Sequence, residues 1–353
     1  TTAGALFLLT PIVLTQANTP YNDVALTAFL LTAAYFAARF LDARCFALGR
    51  GPESAPRLAL AALAGSATGL ALGTKTSGIV IACVLTLLVV THLSLGVLRQ
   101  RDLRRRAAAA ATVFVAAALL VGGWWYARNW VDTGNPVWPF EVKAAGIHVF
   151  SGPTTIDDYL TVPPGGERAW PVEIARSWYH DLVFWTRSSY SYEQRDGGLG
   201  PLWSWLGWAA LAVFAVAALR HRRDVALNLL APLLILVVLL PYAWWSRFTI
   251  VLAALGAIAV AALLDRTPAG RARTSLAAAV LVLVLGGAVR ATWELDPAGR
   301  GSSLTPVDVV GLAAHPFRER TVGTLFFREY AFLDDLPAVT SIAVERDAPS
   351  IRF

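Results

Sequence analysis

The chain has 353 residues, of which 56% are hydrophobic and 15% are charged. Apolar runs of membrane-spanning length recur along it, which excludes an ordinary soluble protein and indicates a polytopic membrane protein. The net charge of +6 does not indicate nucleic-acid binding, because the arginines cluster in short loops where orientation in the membrane explains them. The only two cysteines, Cys45 and Cys83, suggest neither a disulfide framework nor a metal cluster.

Nine apolar runs, bounded by charged or turn residues, predict an all-α polytopic membrane fold. The predicted spans cover residues 3–16, 24–42, 58–73, 77–97, 107–127, 201–219, 225–241, 249–264 and 275–291. The chain contains no methionine and opens inside the first run, so we expect it to be part of a longer protein. We expect the C-terminal end to be cut as well.

The basic residues predict how the chain is oriented. Fourteen arginines lie in the loops after the second, fourth, sixth and eighth spans, whereas the short loops on the other side hold only Lys75 and Arg247. The positive-inside rule therefore places the arginine-rich loops in the cytoplasm and Asp23, Lys75 and Arg247 outside. All thirteen tryptophans fall on the outer side, so we expect binding chemistry on that face of a plasma (inner) membrane protein.

This orientation divides the chain into four parts. They are a membrane module at 1–127, an extracytoplasmic loop at 128–200, a second membrane module at 201–291 and an extracytoplasmic segment at 292–353. Within the loop, apolar residues recur at helical spacing over 170–185, which predicts either a helix lying in the membrane interface or a helix packed under a loop. In the last segment we predict a helix at 322–333 and a strand at 341–344, the start of a truncated α/β domain.

Polar and charged residues gather on the outer side of the predicted spans. No ionisable residue lies near the middle of a span, which argues against an ion-coupled transporter. The candidate site residues on the outer side are Tyr21, Asn22, Asp23, Lys75, Arg128, Asn129, Glu193, Asp196 and Arg247. They come from separate loops but share one membrane face.

Asp23 precedes a long apolar run and has two interpretations. Aspartate is a favoured helix N-cap, and a helix from Val24 needs its first amide hydrogens satisfied. Alternatively, the negative charge itself is required for chemistry. The sequence leaves both open.

Lys75 is unusual because it and Lys143 are the only lysines among thirty basic residues. It lies in GTKTSG at the start of a predicted helix, where a compact cation beside helix-terminal amides suits a phosphate. The alternative is a lysine that extends to the membrane surface from a tight turn. Together with Arg128 and Arg247, it favours an anionic headgroup such as a polyprenyl phosphate.

Five motifs carry a family resemblance over residues 1–264. In chain order they are TPIVLTQANTPYNDVALTAF, GLALGTKTSGIVIA, GGWWYARNWVDTGNPVWPF, DGGLGPLW and SRFTIVLAALGAIAV. Their order resembles the multi-spanning glycosyltransferases of the GT-C class, and the nearest members are of the protein O-mannosyltransferase and aminoarabinose-transferase type. The family's first outer loop, with its own acidic motif, would lie before residue 1.

The resemblance implies a membrane enzyme that transfers a hexose or pentose from a polyprenyl-phosphate carrier to a glycan, lipid or protein acceptor outside the cell. It matches Asp23, the candidate catalytic residue, to the acid of the family's second outer loop, and Lys75 and Arg247 to donor-phosphate contacts. Arg128 is a further candidate for the donor phosphate because it lies on the same predicted face. Tyr21, Asn22, Asn129, Glu193 and Asp196 are then candidates for acceptor or sugar contacts. Whether Asp23 is a base, an acceptor-orienting group or a ligand of a divalent cation stays open at this point.

Two other functions remain as alternatives. One is a non-catalytic membrane subunit that keeps the scaffold within a larger complex. The other is a transporter of lipid-linked glycans, which the charge-free middles of the predicted spans disfavour.

Overall fold

The computed structural model describes residues 2–17, 21–41, 54–99, 104–144, 146–155, 170–182, 190, 197–221, 230–239 and 245–293. The described chain is almost entirely helical. Its N-terminal helices are α1 (Thr2–Leu8), α2 (Pro11–Gln16), α3 (Asp23–Leu41), α4 (Ser54–Thr74), α5 (Gly78–Arg99), α6 (Arg104–Gly122) and α7 (Trp124–Thr133). They are followed by α8 (Trp170–Tyr179), α9 (Gly200–His221), α10 (Ala231–Leu239), α11 (Ile250–Arg266) and α12 (Arg271–Trp293).

The membrane character of the fold agrees with the sequence prediction. Within the described residues, four helices are long and apolar enough to cross a bilayer: Asp23–Leu41, Arg104–Gly122, Gly200–His221 and Arg271–Thr292. Two shorter apolar stretches, Leu58–Thr74 and Gly78–Ser94, lie within α4 and α5. The total of nine spans stays a prediction.

Two predicted spans are interrupted in the structure. The run at 3–16 forms two short helices, because Pro11 has no N–H to donate into a preceding turn and instead begins α2. The run at 107–127 ends as α6 at Gly122, and the chain starts a new helix at Trp124. The paired glycines Gly122 and Gly123 lie at this break, where they lower the helix propensity of the run.

Helix α4 packs along both α3 and α6, and small residues make the second contact close. A Cβ built on Gly65 or Gly69 of α4 would collide with the backbone of α6, and a Cβ built on Gly122 would collide with the backbone at Gly69. This close packing fixes the C-terminal end of α4. At that end Asn22, just before α3, donates a hydrogen bond from its Nδ2 to the carbonyl oxygen of Thr74 at 2.6 Å.

Helix α11 lies at the centre of the second half, with 11 buried residues. It follows a 3₁₀ turn, Ser246–Phe248, which presents Arg247 and Phe248 at its N-terminal end. The main hydrophobic core joins residues of α11 to residues of α1, α2, α3, α5, α9 and α10. The start of α3 and the 3₁₀ turn are therefore held in one packed body.

The segment predicted as an extracytoplasmic loop contains a small hairpin and the predicted helix. Strand β1 (Val142–Ala144) pairs antiparallel with β2 (Ile147–Phe150). The helix predicted over 170–185 is present as α8, followed by a 3₁₀ turn at His180–Leu182. Asp181 in that turn accepts hydrogen bonds from the amides of Gly198 and Gly200, each at 2.9 Å.

Several predictions fall on residues that the structure does not describe. They concern the arginines at 42–53, 100–103 and 222–229, and the helix and strand of the segment at 292–353. The division into four parts also stays a prediction.

Candidate functional site

Three segments that are distant in sequence meet at one end of the helical body. They are the start of α3 with Tyr21 to Asp23, the turn between α4 and α5 with Lys75, and the segment from Trp245 to Phe248 before α11. The structure thus brings together three of the predicted site residues, Asp23, Lys75 and Arg247. We call these three the charged cluster.

The Asp23 carboxylate pairs with Lys75. The Lys75 Nζ donates to Asp23 Oδ1 at 2.5 Å, and the Asp23 side chain is only 3% exposed. Asp23 is itself the first residue of α3, and the amide of Leu26 donates to the carbonyl of Asn22 at 2.8 Å. Among the described residues, the Asp23 carboxylate accepts no hydrogen bond from the amides of its own helix. Capping therefore does not explain this acid.

Arg247 approaches the other oxygen of the same carboxylate. Its Nε lies 3.9 Å from Asp23 Oδ2, which is an ion pair without a hydrogen bond. The Arg247 side chain is 12% exposed. Three aromatic rings surround its guanidinium, with Cζ at 4.5 Å from the centroid of Tyr21, 4.9 Å from Trp245 and 4.8 Å from Phe248.

The charged cluster holds two cations against one anion in a mostly buried place. Burial lowers the pKa of Lys75 below its usual value of 10.5, Asp23 acts in the opposite direction, and Arg247 lowers the pKa further. Two neighbouring cations in a poorly solvated site favour binding of an anion. The arrangement is therefore suited to a phosphate.

A cavity of about 20 Å³ adjoins the cluster, which is room for a water molecule. Its polar lining comes from Asp23, Thr27, Ser77 and Arg247, and Phe248 forms part of its apolar wall. This cavity is far too small for a sugar ring. The side chain of Lys75 is 22% exposed, so the cluster is not closed off completely from its surroundings.

Two predicted residues lie elsewhere on α7. Arg128 is exposed; its Nε lies 3.3 Å from Asp132 Oδ2, and its guanidinium faces Trp125 at 5.7 Å. Asn129 is buried and donates to the carbonyls of Pro136 and Trp138, both at 3.4 Å. Neither residue has a described contact with the charged cluster. Glu193 and Asp196 lie outside the described residues.

The structure also identifies residues that the sequence analysis did not assign to the site. Phe248 faces both cations, since Lys75 Nζ lies 4.6 Å from its ring centroid. Trp245 faces Arg247, and Tyr21, predicted as an acceptor contact, does the same. The sequence feature that indicates this arrangement is the arginine flanked by aromatic residues in AWWSRF. Only the fold shows that Lys75 lies beside the ring of Phe248 as well.

The sequence analysis left open whether Asp23 is a ligand of a divalent cation. Among the described residues, no group of three or more His, Cys, Asp or Glu side chains could hold a metal ion. The acid of the charged cluster is surrounded by cations instead. In the described part of the chain, a bound divalent ion would therefore have to compete with Lys75 and Arg247 for Asp23.

One of the comparisons with known proteins gives a match. Residues 1–131 match the model of the family described as dolichyl-phosphate-mannose-protein mannosyltransferase, which is of the GT-C class. No curated protein and no solved structure matches the chain. The matched residues contain Asp23 and Lys75, whereas Arg247 lies beyond them. The predicted resemblance to the GT-C glycosyltransferases is thus confirmed over residues 1–131, and it suggests a membrane glycosyltransferase like the mannosyltransferases.

Proposed function

We propose that this protein transfers a sugar from a polyprenyl-phosphate carrier to an acceptor on the extracytoplasmic face of the plasma (inner) membrane. The observation that carries the proposal is the convergence of Lys75 and Arg247 on the Asp23 carboxylate. The match over residues 1–131 supports a lipid-linked sugar as the donor. The positive-inside rule supports the outer face as the side of reaction.

In the proposed ground state the donor phosphate binds to the two cations. Lys75 is the partly exposed member of the cluster, so the phosphate reaches it first and shares it with Asp23. Arg247 then faces the phosphate from a fixed position, because three aromatic rings limit its rotamers. Charge-assisted hydrogen bonds to a phosphate are among the strong ones in proteins, especially where water is excluded.

The proposed reaction is a single displacement at the anomeric carbon. Asp23 takes the proton of the acceptor hydroxyl as that oxygen bonds to the anomeric carbon, and the bond from this carbon to the phosphate oxygen breaks. The electron pair leaves with the polyprenyl phosphate, whose charge Lys75 and Arg247 stabilise. One displacement inverts the configuration. For Asp23 to act as the base, the phosphate must first draw Lys75 away from Oδ1.

One observation favours a second candidate function. A short ion pair on a carboxylate that is 3% exposed also suits a purely structural role, as expected for a non-catalytic subunit of a larger membrane complex. In that case the charged cluster would only join α3, the α4–α5 turn and the start of α11. The two functions differ in whether the cluster binds a phosphate.

Binding of a polyprenyl phosphate without a sugar tests the proposal independently of sugar and acceptor identity. The purified protein in lipid nanodiscs is titrated with a short-chain polyprenyl phosphate and, as a matched ligand, with the uncharged polyprenol. We expect binding of the phosphate and at least ten-fold weaker binding of the alcohol. Equal affinity for the two lipids would contradict the proposal and favour the structural role.

A further inference from the structure

The ring of Phe248 is shared by the two cations of the charged cluster. Its centroid lies 4.6 Å from Lys75 Nζ and 4.8 Å from Arg247 Cζ. The rings of Tyr21 and Trp245 also face Arg247, with centroids at 4.5 and 4.9 Å from Cζ. Phe248 therefore lies within cation–π distance of one cation from each of the two basic segments.

This position bears on the repulsion between two neighbouring cations. Lys75 and Arg247 both approach the Asp23 carboxylate, and two neighbouring positive charges repel each other more strongly where water screens poorly. The face of an aromatic ring is negative and attracts a cation within about 6 Å, and the attraction is stronger when the pair is desolvated. The Phe248 ring thus stabilises both cations without adding a formal negative charge that would repel a phosphate.

The ring is itself held in place. Trp245 packs against it edge to face, with centroids 5.2 Å apart and planes at 82°. The backbone amide of Phe248 also donates to the carbonyl of Trp245 at 3.0 Å. Because Trp245 packs against it, we expect the Phe248 ring to keep its orientation when Lys75 and Arg247 exchange one anion for another.

We infer that Phe248 is a positioning residue that holds Lys75 and Arg247 together through the negative face of its ring, so that both meet the same anion. The identity of that anion as a lipid phosphate rests on the proposed function. The positioning of the two cations by Phe248 does not rest on the proposed function. Phe248 acts through the two cations and is not itself a catalytic residue.

The test changes the electrostatics of the ring while keeping its shape. Phe248 is replaced with 4-fluoro-, 3,5-difluoro- and 3,4,5-trifluorophenylalanine, which progressively weaken the negative face. The matched control for the chemistry is trifluorophenylalanine at Phe150, a hairpin residue whose ring packs on Trp130 of α7. Phe248→Leu removes the ring altogether, and the thermal midpoint of every variant is recorded.

The first measurement needs no lipid donor. The reactivity of Lys75 toward an amine-acylating reagent is followed by mass spectrometry, with the only other lysine, Lys143, as the internal reference. A weaker ring stabilises the ammonium less, so the labelling of Lys75 relative to Lys143 should rise by about three-fold or more across the series. Unchanged relative labelling across the series would overturn the inference.

The second measurement is the Kd for the short-chain polyprenyl phosphate. We expect it to rise by about three- to ten-fold from phenylalanine to trifluorophenylalanine at position 248, with no change at position 150. If the wild-type protein does not bind the phosphate while Lys75 labelling still follows the series, the proposed function fails and the positioning role stands. If the phosphate binds and neither labelling nor Kd follows the series, the positioning role fails and the proposed function stands.

Discussion

Lys75 and Asp23 form an ion pair across 52 residues of sequence, with Nζ at 2.5 Å from Oδ1. The pair joins the turn between α4 and α5 to the first residue of α3. The carboxylate is directed at the lysine and not at the amides of its helix. This geometry favours the interpretation in which the negative charge of Asp23 is required, which stays a prediction.

Replacing Asp23 with asparagine removes the negative charge and keeps the size of the side chain. We expect Asp23→Asn to reduce sugar transfer from a synthetic lipid-phosphate donor by about a hundred-fold or more, because the amide cannot accept the proton of an acceptor hydroxyl. The measurement is turnover in nanodiscs, with the thermal midpoint recorded in parallel. Asp132→Asn is the matched control, since Asp132 pairs with Arg128 but is 56% exposed. Equal turnover of wild type and Asp23→Asn would exclude a catalytic role for this acid.

Removing the lysine should weaken donor binding. Lys75→Ala is expected to raise the Kd for a polyprenyl phosphate by about ten-fold or more, because a hydrogen bond to a charged group contributes about 1.5–3 kcal/mol. Lys75→Arg should restore only part of the affinity, since a planar guanidinium does not replace a compact ammonium. Lys143→Ala is the control: Lys143 is 50% exposed and pairs with Glu141 in the hairpin. An unchanged Kd for Lys75→Ala would show that the phosphate is bound elsewhere.

Donor binding should also depend on pH in a way that the lysine determines. Burial lowers the pKa of Lys75, so the ammonium loses its proton at a lower pH than an exposed lysine does. Phosphate affinity should fall as the pH rises through this lowered pKa, whereas the Lys75→Arg variant should show no such fall, because arginine stays protonated. The Kd measured from pH 7 upward in both proteins tests this, and parallel curves would contradict it.

The same shift has a consequence for stability with a definite sign. Between the lowered pKa of the folded state and 10.5, the unfolded chain binds more protons at Lys75 than the folded chain does. The contribution of Lys75 to the free energy of unfolding should therefore increase as the pH rises through that window. Thermal midpoints of wild type and Lys75→Arg over the same pH range give the difference, and a decrease for wild type relative to the variant would be the wrong sign.

The contact between α4 and α6 should not tolerate a side chain at Gly122. A Cβ there would collide with backbone atoms of Gly69, which cannot move without shifting a whole helix. We expect Gly122→Ala to lower the free energy of unfolding by about 1–3 kcal/mol, seen as a lower thermal midpoint in detergent. Gly4→Ala is the matched control, because a Cβ on Gly4 in α1 has no atom within 4 Å. Equal midpoints for the two variants would show that this helix contact is looser than described.

The orientation can be tested by labelling single cysteines. Cysteine at Ile147, which is 70% exposed in the hairpin, should react with a membrane-impermeant thiol reagent in intact cells. Cysteine at Arg105, at the exposed start of α6, should not react, both variants being made after replacement of Cys45 and Cys83. Reaction at position 105 alone would reverse the orientation and place the charged cluster in the cytoplasm.

The local elements were largely readable from the sequence. The apolar run at 24–42 forms α3 at Asp23–Leu41, and that at 249–264 forms α11 at Ile250–Arg266. These agreements have a simple cause, since a membrane span needs an uninterrupted run of apolar side chains and ends where charge begins. The breaks within 3–16 and 107–127 were not predicted, because hydropathy is insensitive to Pro11 and to the glycine pair at 122–123, which break a helix through the backbone.

The sequence by itself determined which charged residues border the apolar runs, because lysine and aspartate are rare next to these runs. It did not determine which of these charged residues contact each other in the fold. Asp23, Lys75 and Arg247 come together because α4 packs on α3 and α11 is buried beside them, whereas Arg128 forms its ion pair with Asp132 on α7. Such contacts depend on how helices distant in sequence pack. Only the tertiary structure could decide them, and with them the position of Phe248 between two cations.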